Sequence, residues 1–225
     1  MDVQTMMAVT VHDVKNSLSL IDSQLNDVIL RLDGSDSDSV QEIRRIQLEC
    51  NRINNGMVHM LAFYKLDQGT FSPIFSEAVI SDVILDATSR YTRMLDSLGV
   101  TLSIRFADGD EEQLWYLDAN LIEGLLSNIL TNSIRYAKSH LVFDIGVVDG
   151  WLNIRITDDG EGYPQSMLEL LEQPDQLSFQ SGETGLGLFF CQKIAKLHRN
   201  KERCGSIELT NDARSGGAVF NLWLP

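Results

Sequence analysis

Cysteine is scarce in this chain. Cys50, Cys191 and Cys204 are the only three in 225 residues, and they form neither a metal-ligand spacing nor an even-numbered disulfide framework. That excludes a disulfide-stapled scaffold and leads to the expectation of a reducing, cytoplasmic location. Long hydrophobic runs are missing too. No apolar stretch approaches the ~18 residues that cross a bilayer, and the first residues lack the basic-then-apolar order of a signal peptide. Direct membrane insertion is therefore not expected. Positive charge is in deficit: 18 Lys and Arg face 32 Asp and Glu, a formal charge of −14. That balance excludes nucleic acid as the expected partner and disfavours simple adsorption to an anionic membrane. An anionic small ligand stays compatible only where local features overcome the global field.

What is present is a normal apolar share, 44%, enough for a real core, arranged in two textures. Residues 7 to 32 carry a heptad: Met7, Val11, Val14, Leu18, Ile21, Leu25, Val28 and Leu32 alternate four and three apart. This predicts a helix buried along one narrow seam. "DGSDSDS" (33–39) is turn chemistry, and Ser39 with Glu42 reads as a capping box opening a second helix. That helix repeats the seam with Ile46, Cys50, Ile53, Met57, Met60 and Tyr64. A two-helix hairpin buries too little surface to stand alone, so pairing with a second copy into a four-helix bundle is expected. On this wheel His12, Asp13 and Asn16 fall on the wet flank, with His12 and Asn16 one turn apart on one face.

"DQGTFSP" (67–73) reads as a linker, after which the pattern mixes helix and strand. Helices are expected over 81–99, 119–139 and 184–198, and strands over 100–106, 140–149, 151–160, 205–212 and 216–225. The fold class is α+β: an N-terminal antiparallel helical hairpin, then an α/β sandwich with a mixed, mostly antiparallel sheet.

Three motifs occupy the second half. "SNILTNSIRY" (127–136) sets Asn128 and Asn132 on one helical face, followed by Arg135 and Tyr136. Two amides offer neutral oxygens, suited to a Mg²⁺ ion carried by phosphates; a solvated helix face explains them equally well. "DDGEGYP" (158–164) ends a strand: Gly160 and Gly162 allow a tight turn close to a flat ligand, and Asp158 can accept from an exocyclic amine. An ordinary Asp-Gly turn is the simpler reading of that motif alone. In "GETGLGLFF" (182–190), Thr184, Gly185, Leu186, Gly187 and Leu188 lead into a helix whose free N–H groups and positive dipole end suit a phosphate. The spacing is neither that of a P-loop nor that of a dinucleotide fingerprint.

As an ordered series, behind an H-D-x-x-N helix and ahead of the closing "GGAVFNLWLP" strand, these motifs resemble the bacterial two-component sensor histidine kinase core, from about residue 5 to the C-terminus. The resemblance implies a dimerisation and histidine-phosphotransfer hairpin over 1–66, a linker over 67–76 and a Bergerat-fold catalytic ATP-binding domain over 77–225. It implies that His12 is the phosphoacceptor, that Asp13 orients its imidazole and helps take its proton, and that Asn16 positions water during dephosphorylation of the partner. It makes Asn132 the Mg²⁺ ligand and Asn128 its neighbour. It sets Arg135 and Tyr136 near phosphate and adenine, Asp158 on the adenine amine, and Gly160, Gly162, Gly185 and Gly187 against the nucleotide. ATP and Mg²⁺ are the implied cofactors; a second copy and a response-regulator receiver domain are the implied partners. The chain departs from the pattern at Ser17, where many members have proline, and at Glu183, where glycine is usual. The lid between Pro164 and Gly182 is short, with Phe179 its only phenylalanine.

The expected activity is therefore autophosphorylation of His12 from ATP, transfer to a receiver aspartate, and a share in its dephosphorylation. The alternative is a phosphotransfer adaptor with a vestigial ATP site; intact Asn132, Asp158 and GLGL argue against it. A serine kinase sharing only the ATP fold leaves the H-D-x-x-N hairpin without a role. With no sensor ahead of the hairpin, the expectation is either a core cut from a longer protein or a kinase signalled by a separate sensor protein. His59, His140 and His198 are expected to be structural or solvated.

Overall fold

The computed structural model describes residues 3–32, 37–69, 71–107, 112–172 and 185–225. They form two compact units, Met1–Ser72 and Pro73–Pro225.

The first unit is a pair of long helices, α1 (Val3–Arg31) and α2 (Ser37–Asp67). Of the expected seam, Val11 is buried and Val14, Leu18 and Leu25 are partly covered, whereas Ile21, Val28, Ile46 and Ile53 are exposed; on α2 the buried apolar residue is Leu48, off the expected seam. α1 runs unbroken through Ser17, whose hydroxyl donates to the carbonyl of Asp13 at 2.9 Å. α2 begins at Ser37, two residues before the expected capping box, so Ser39 is inside the helix rather than its cap. Residues 33–36 of the expected turn lie outside the described residues. A polar cluster sits among the apolar rungs. Buried Gln47 donates to Asp22 Oδ1 at 2.7 Å, and Arg44 bridges Gln47 Oε1 (2.7 Å) and Asn26 Oδ1 (3.0 Å). Such pairs act only in one alignment of the helices, so they fix the register of α1 against α2.

The second unit is a five-stranded sheet with helices packed on it. Its strands are β2 (Thr101–Phe106), β4 (His140–Val148), β5 (Trp151–Asp158), β9 (Ala218–Leu224) and β8 (Ser206–Asn211), in the spatial order β2-β4-β5-β9-β8. Only β2 and β4 run parallel; every other pair is antiparallel. That is the mixed, mostly antiparallel sheet expected. α5 (Ala119–Tyr136) packs on α3 (Ile80–Ser89), on α7 (Gly185–Leu197) and on β5. Between α5 and the sheet lie Leu125, Leu126, Phe143, Ile154 and Phe220, each essentially inaccessible.

Several elements differ from expectation. The helix expected over 81–99 is broken into α3 and α4 (Thr92–Leu98). The break falls at Tyr91, which turns inward, is buried, and brings its hydroxyl 3.2 Å from Thr131 Oγ1. α4 then ends at Gly99, whose φ of +68° is the left-handed conformation glycine tolerates best. α5 stops at Tyr136 rather than 139, for a reason given below. Two small ribbons and a helix were not anticipated. β1 (Ser76–Val79) pairs with β3 (Leu114–Leu117), β6 (Arg199–Asn200) pairs with β7 (Arg203–Cys204), and α6 covers Gln165–Glu172. Phe179 and the rest of 173–184 lie outside the described residues.

Candidate active site

In the first unit, the exposed flank of α1 carries a small polar group. His12 Nδ1 lies 3.3 Å from Asp13 Oδ1, and the Asn16 amide nitrogen lies 3.3 Å from Nδ1 and 3.4 Å from Nε2. The side chains of His12 and Asp13 are about 70% accessible, at 69% and 71%. An imidazole that donates Nδ1–H to a carboxylate keeps its lone pair on Nε2, the nitrogen left to act as nucleophile.

In the second unit, α5 carries the first motif and is the wall against which the other two abut. Strand alternation explains Asp158. Leu152, Ile154 and Ile156 point inward along β5, and Asp158 is the next residue on that face, so its carboxylate is buried at the rim of the core. Its Oδ1 accepts from Gly160 N (3.0 Å) and Ala218 N (3.2 Å), and the Ser133 hydroxyl of α5 adds a third donor. Burial nevertheless prevails and raises its pKa above the ordinary carboxylate value.

Glycine is required here by close approach. A side chain at Gly160 would come within 2.6 Å of the Tyr136 carbonyl, and one at Gly217 would overlap the Asp158 carbonyl. Gly162 combines a φ of +80° with contact on Gly216 and Asn211. Asn211 in turn accepts from Tyr163 N (2.7 Å) and donates to Tyr163 O (3.0 Å), holding the loop after β5. Gly187, in the first turn of α7, packs on Asn128: a Cβ there would lie 2.8 Å from Oδ1. Asn128 is buried and donates to Cys191 Sγ at 3.4 Å. Burial pushes the Cys191 thiol up to about 12, so it behaves as a small apolar group.

The structure thus joins Asn128 to the start of α7, and Tyr136 to the loop of Asp158 and Gly160. Asn132 is half-exposed one turn beyond Asn128, and makes no side-chain hydrogen bond among the described residues. Arg135 and Tyr136 are exposed, with the guanidinium 5.5 Å from the phenol ring centre. Gly185 and Leu186 form the first turn of α7, Leu188 is buried in the core, and Thr184 lies outside the described residues. His198 is buried, with Nδ1–H on the Ile194 carbonyl (2.9 Å) and Nε2 accepting from Asp118 N (3.1 Å). Residues that sequence reasoning passed over are Ser133, Asn211, Gly217 and Asp159; only the doubled aspartate of "DDGEG" was a visible signal.

The comparisons agree with this geometry. Residues 117–225 match the family described as histidine kinase-, DNA gyrase B-, and HSP90-like ATPases. The sensor histidine kinase CpxA of Escherichia coli (strain K12) is 25% identical over 228 residues, covering 95% of this chain and 45% of its own length. The chain therefore spans less than half the length of that relative. Among solved structures, the Acinetobacter baumannii histidine kinase AdeS superposes with a TM-score of 0.60 at 17% identity, covering 95% of this chain and 96% of that one. The catalytic domain of histidine kinase ThkA gives 0.56 at 20% identity, over 68% of this chain and 95% of that one. Over residues 117–225 the chain is similar to ATPase domains of the histidine kinase, gyrase B and HSP90 kind. More particularly, over nearly its whole length it is similar to sensor histidine kinases, with the fold of a solved histidine kinase.

Proposed function

We propose that the chain is an ATP-dependent protein-histidine kinase that phosphorylates His12 and passes the phosphoryl group to an aspartate of a response-regulator receiver domain, which it also helps to dephosphorylate. The observation that carries the nucleotide half is Asp158. Its carboxylate holds described donors from Gly160, Ala218 and Ser133, yet burial still dominates its ionisation. A further N–H donor, the exocyclic amine of adenine, completes that set; the carbonyl of guanine does not, and leaves two acceptors facing each other. Gly160 and Gly162 bring backbone to the flat base. The N-terminal turn of α7 offers the phosphates N–H groups that have no partner within the helix.

Asn132 fits a magnesium ion: its amide is a neutral oxygen donor, suited to a cation whose charge is balanced by phosphates. When bound, the ion supplies charge neutralisation for phosphoryl transfer. At the phosphoacceptor, Asp13 holds the proton on Nδ1 and stabilises the cation that forms when Nε2 attacks. Asn16, one turn on, is placed to orient water during dephosphorylation. Exposed seam residues Ile21, Val28, Ile46 and Ile53 support a homodimeric four-helix bundle. Among the described residues no helix is long and apolar enough to cross a membrane. The domain roles follow: the helical unit dimerises and carries His12, the second unit binds ATP, and the cytoplasm is the setting in which both ATP and a receiver are met.

The test is transfer of γ-labelled phosphate from Mg·ATP to the purified protein. Acid-labile, alkali-stable label is expected on the wild type, and none on His12→Ala or Asn132→Ala. If the wild type takes no label but accepts phosphate at His12 from a phosphorylated receiver, the chain is a phosphotransfer adaptor instead.

A further inference from the structure

The pairing of β4 with β5 ends at Leu141 opposite Asp158. Beyond that pair one main-chain bond remains, and a single side chain takes over the rest. Asp159 Oδ1 accepts from Lys138 N (2.8 Å) and Ser139 N (3.0 Å), and Oδ2 accepts from the Ser139 hydroxyl (2.6 Å) and also from Ser139 N (3.0 Å). The His140 ring lies 3.6 Å away, and Asp159 N–H reaches the His140 carbonyl at 3.3 Å. Burial alone would raise this carboxyl. The bonds from the Ser139 hydroxyl and from the N–H groups of Ser139, His140 and Lys138 outweigh it and hold the group well below the usual carboxylate range. These bonds also explain why α5 stops at Tyr136. N–H groups that would continue the helix at 138 and 139 are taken by a carboxylate from the loop after β5.

We propose that Asp159 is a positioning residue for the nucleotide pocket: its carboxylate clamps the turn after α5 to the loop after β5, and so sets where Tyr136 and Gly160 stand relative to Asp158. The inference rests on the nucleotide reading of that pocket. The spacing matters because the two segments abut without slack. Gly160 is so near the Tyr136 carbonyl that a Cβ would reach 2.6 Å from it. Releasing the clamp lets the Tyr136 turn move against the loop that carries Asp158, while the core beneath, from Leu141 inward, keeps its pairing.

Asp159→Asn tests this, because an amide offers one acceptor oxygen where the carboxylate offers two and turns N–H donors toward Ser139 N–H. Binding of ATP and GTP to the full chain is measured by calorimetry, with unfolding followed by tryptophan fluorescence. The dissociation constant for ATP is expected to rise about tenfold, the scale on which small misplacement acts, and the preference for ATP over GTP is expected to shrink. Loss of preference separates positioning from mere destabilisation, which weakens both nucleotides alike. Ser139→Ala, which removes one of the four bonds, is expected to shift the preference the same way by a smaller factor, and it decides the matter if Asp159→Asn does not fold. An unchanged ATP-over-GTP ratio in these variants, with ATP binding weakened in Asp158→Asn, overturns the positioning role and leaves the pocket intact. Unchanged ATP binding in Asp158→Asn overturns the nucleotide reading itself.

Discussion

The helical hairpin and the α/β unit solve the same burial problem in opposite ways. In the second unit the core is closed: Phe143, Leu126, Leu130 and Phe220 are at most 1% accessible, and α5 is covered by α3, α7 and the sheet. In the hairpin, Val11 and Leu48 are the buried apolar side chains among the described residues, and Gln47, a polar one, is buried deeper than either. Seam residues Ile21, Val28, Ile46 and Ile53 remain 41–46% accessible. One unit therefore carries its stability within itself. The other lacks half of its core until something covers the seam. The difference suits the proposed division of labour: an ATP site needs walls fixed to a fraction of an ångström, whereas a signal-receiving bundle needs a register that can be biased from outside.

The largest expected effect strikes the closed unit. Phe143→Ala removes a fully buried ring between β4 and the helices, and should cost about 3–5 kcal/mol. Trp115, Trp151 and Trp223 all lie in the second unit, so their fluorescence in a urea titration reports that unit alone. A midpoint shift in the fluorescence transition, with helical circular dichroism from the hairpin retained, would sharpen the contrast. One transition seen identically by both probes would abolish it.

A smaller effect is expected at the open seam. Ile21→Asp with Ile53→Asp puts charge on two positions that a second copy is proposed to cover. Self-association should weaken by about thirtyfold, the ~2 kcal/mol scale of a central interface position. Sedimentation at several protein concentrations reads this directly, and the tryptophan unfolding midpoint should stay put. A wild type that sediments as a monomer at micromolar concentration, or a variant that remains dimeric, would mean that the seam is not the interface.

Legibility in the sequence tracks how local the cause is. The seam of α1 and α2 could be read because its period is set by neighbours three and four apart, and the inward face of β5 because its period is two. Asp158 and the glycines could be read because each motif is contiguous. The break at Tyr91 could not. The residues either side are acceptable in a helix, and what stops it is a ring finding Thr131, forty residues away. Likewise α5 looked three residues longer, since nothing within "YAKS" announces that Asp159 will take its N–H groups. The β1–β3 ribbon needs two short segments some forty residues apart to meet, and neither has a pattern long enough to declare itself. For the candidate site, the residues proposed to face the ligand could be picked out from contiguous motifs, and the residues that hold them in place could not.

The smallest effect is electrostatic and belongs to the closed unit. His198 of the closed unit is buried, with both ring nitrogens committed: Nδ1–H to Ile194 O and Nε2 to the N–H of Asp118. Burial holds its pKa below the ordinary value, since a second proton would leave Nε2–H facing another donor. The unfolded chain takes up that proton near pH 6.5 and the folded one does not. This contribution to stability is therefore complete above about pH 6.5 and is lost progressively as the pH falls toward the folded pKa, below which it is flat. Urea midpoints of the tryptophan signal should fall between pH 6.5 and 5.5 in the wild type, and fall less in His198→Gln. Asp158 and Glu123, both raised mainly by burial, tilt the slope the other way, but they are common to both proteins and cancel in the difference. Equal slopes would show that His198 takes up its proton within the folded core, and the second unit would then be less tightly closed around Asp118 than its geometry indicates.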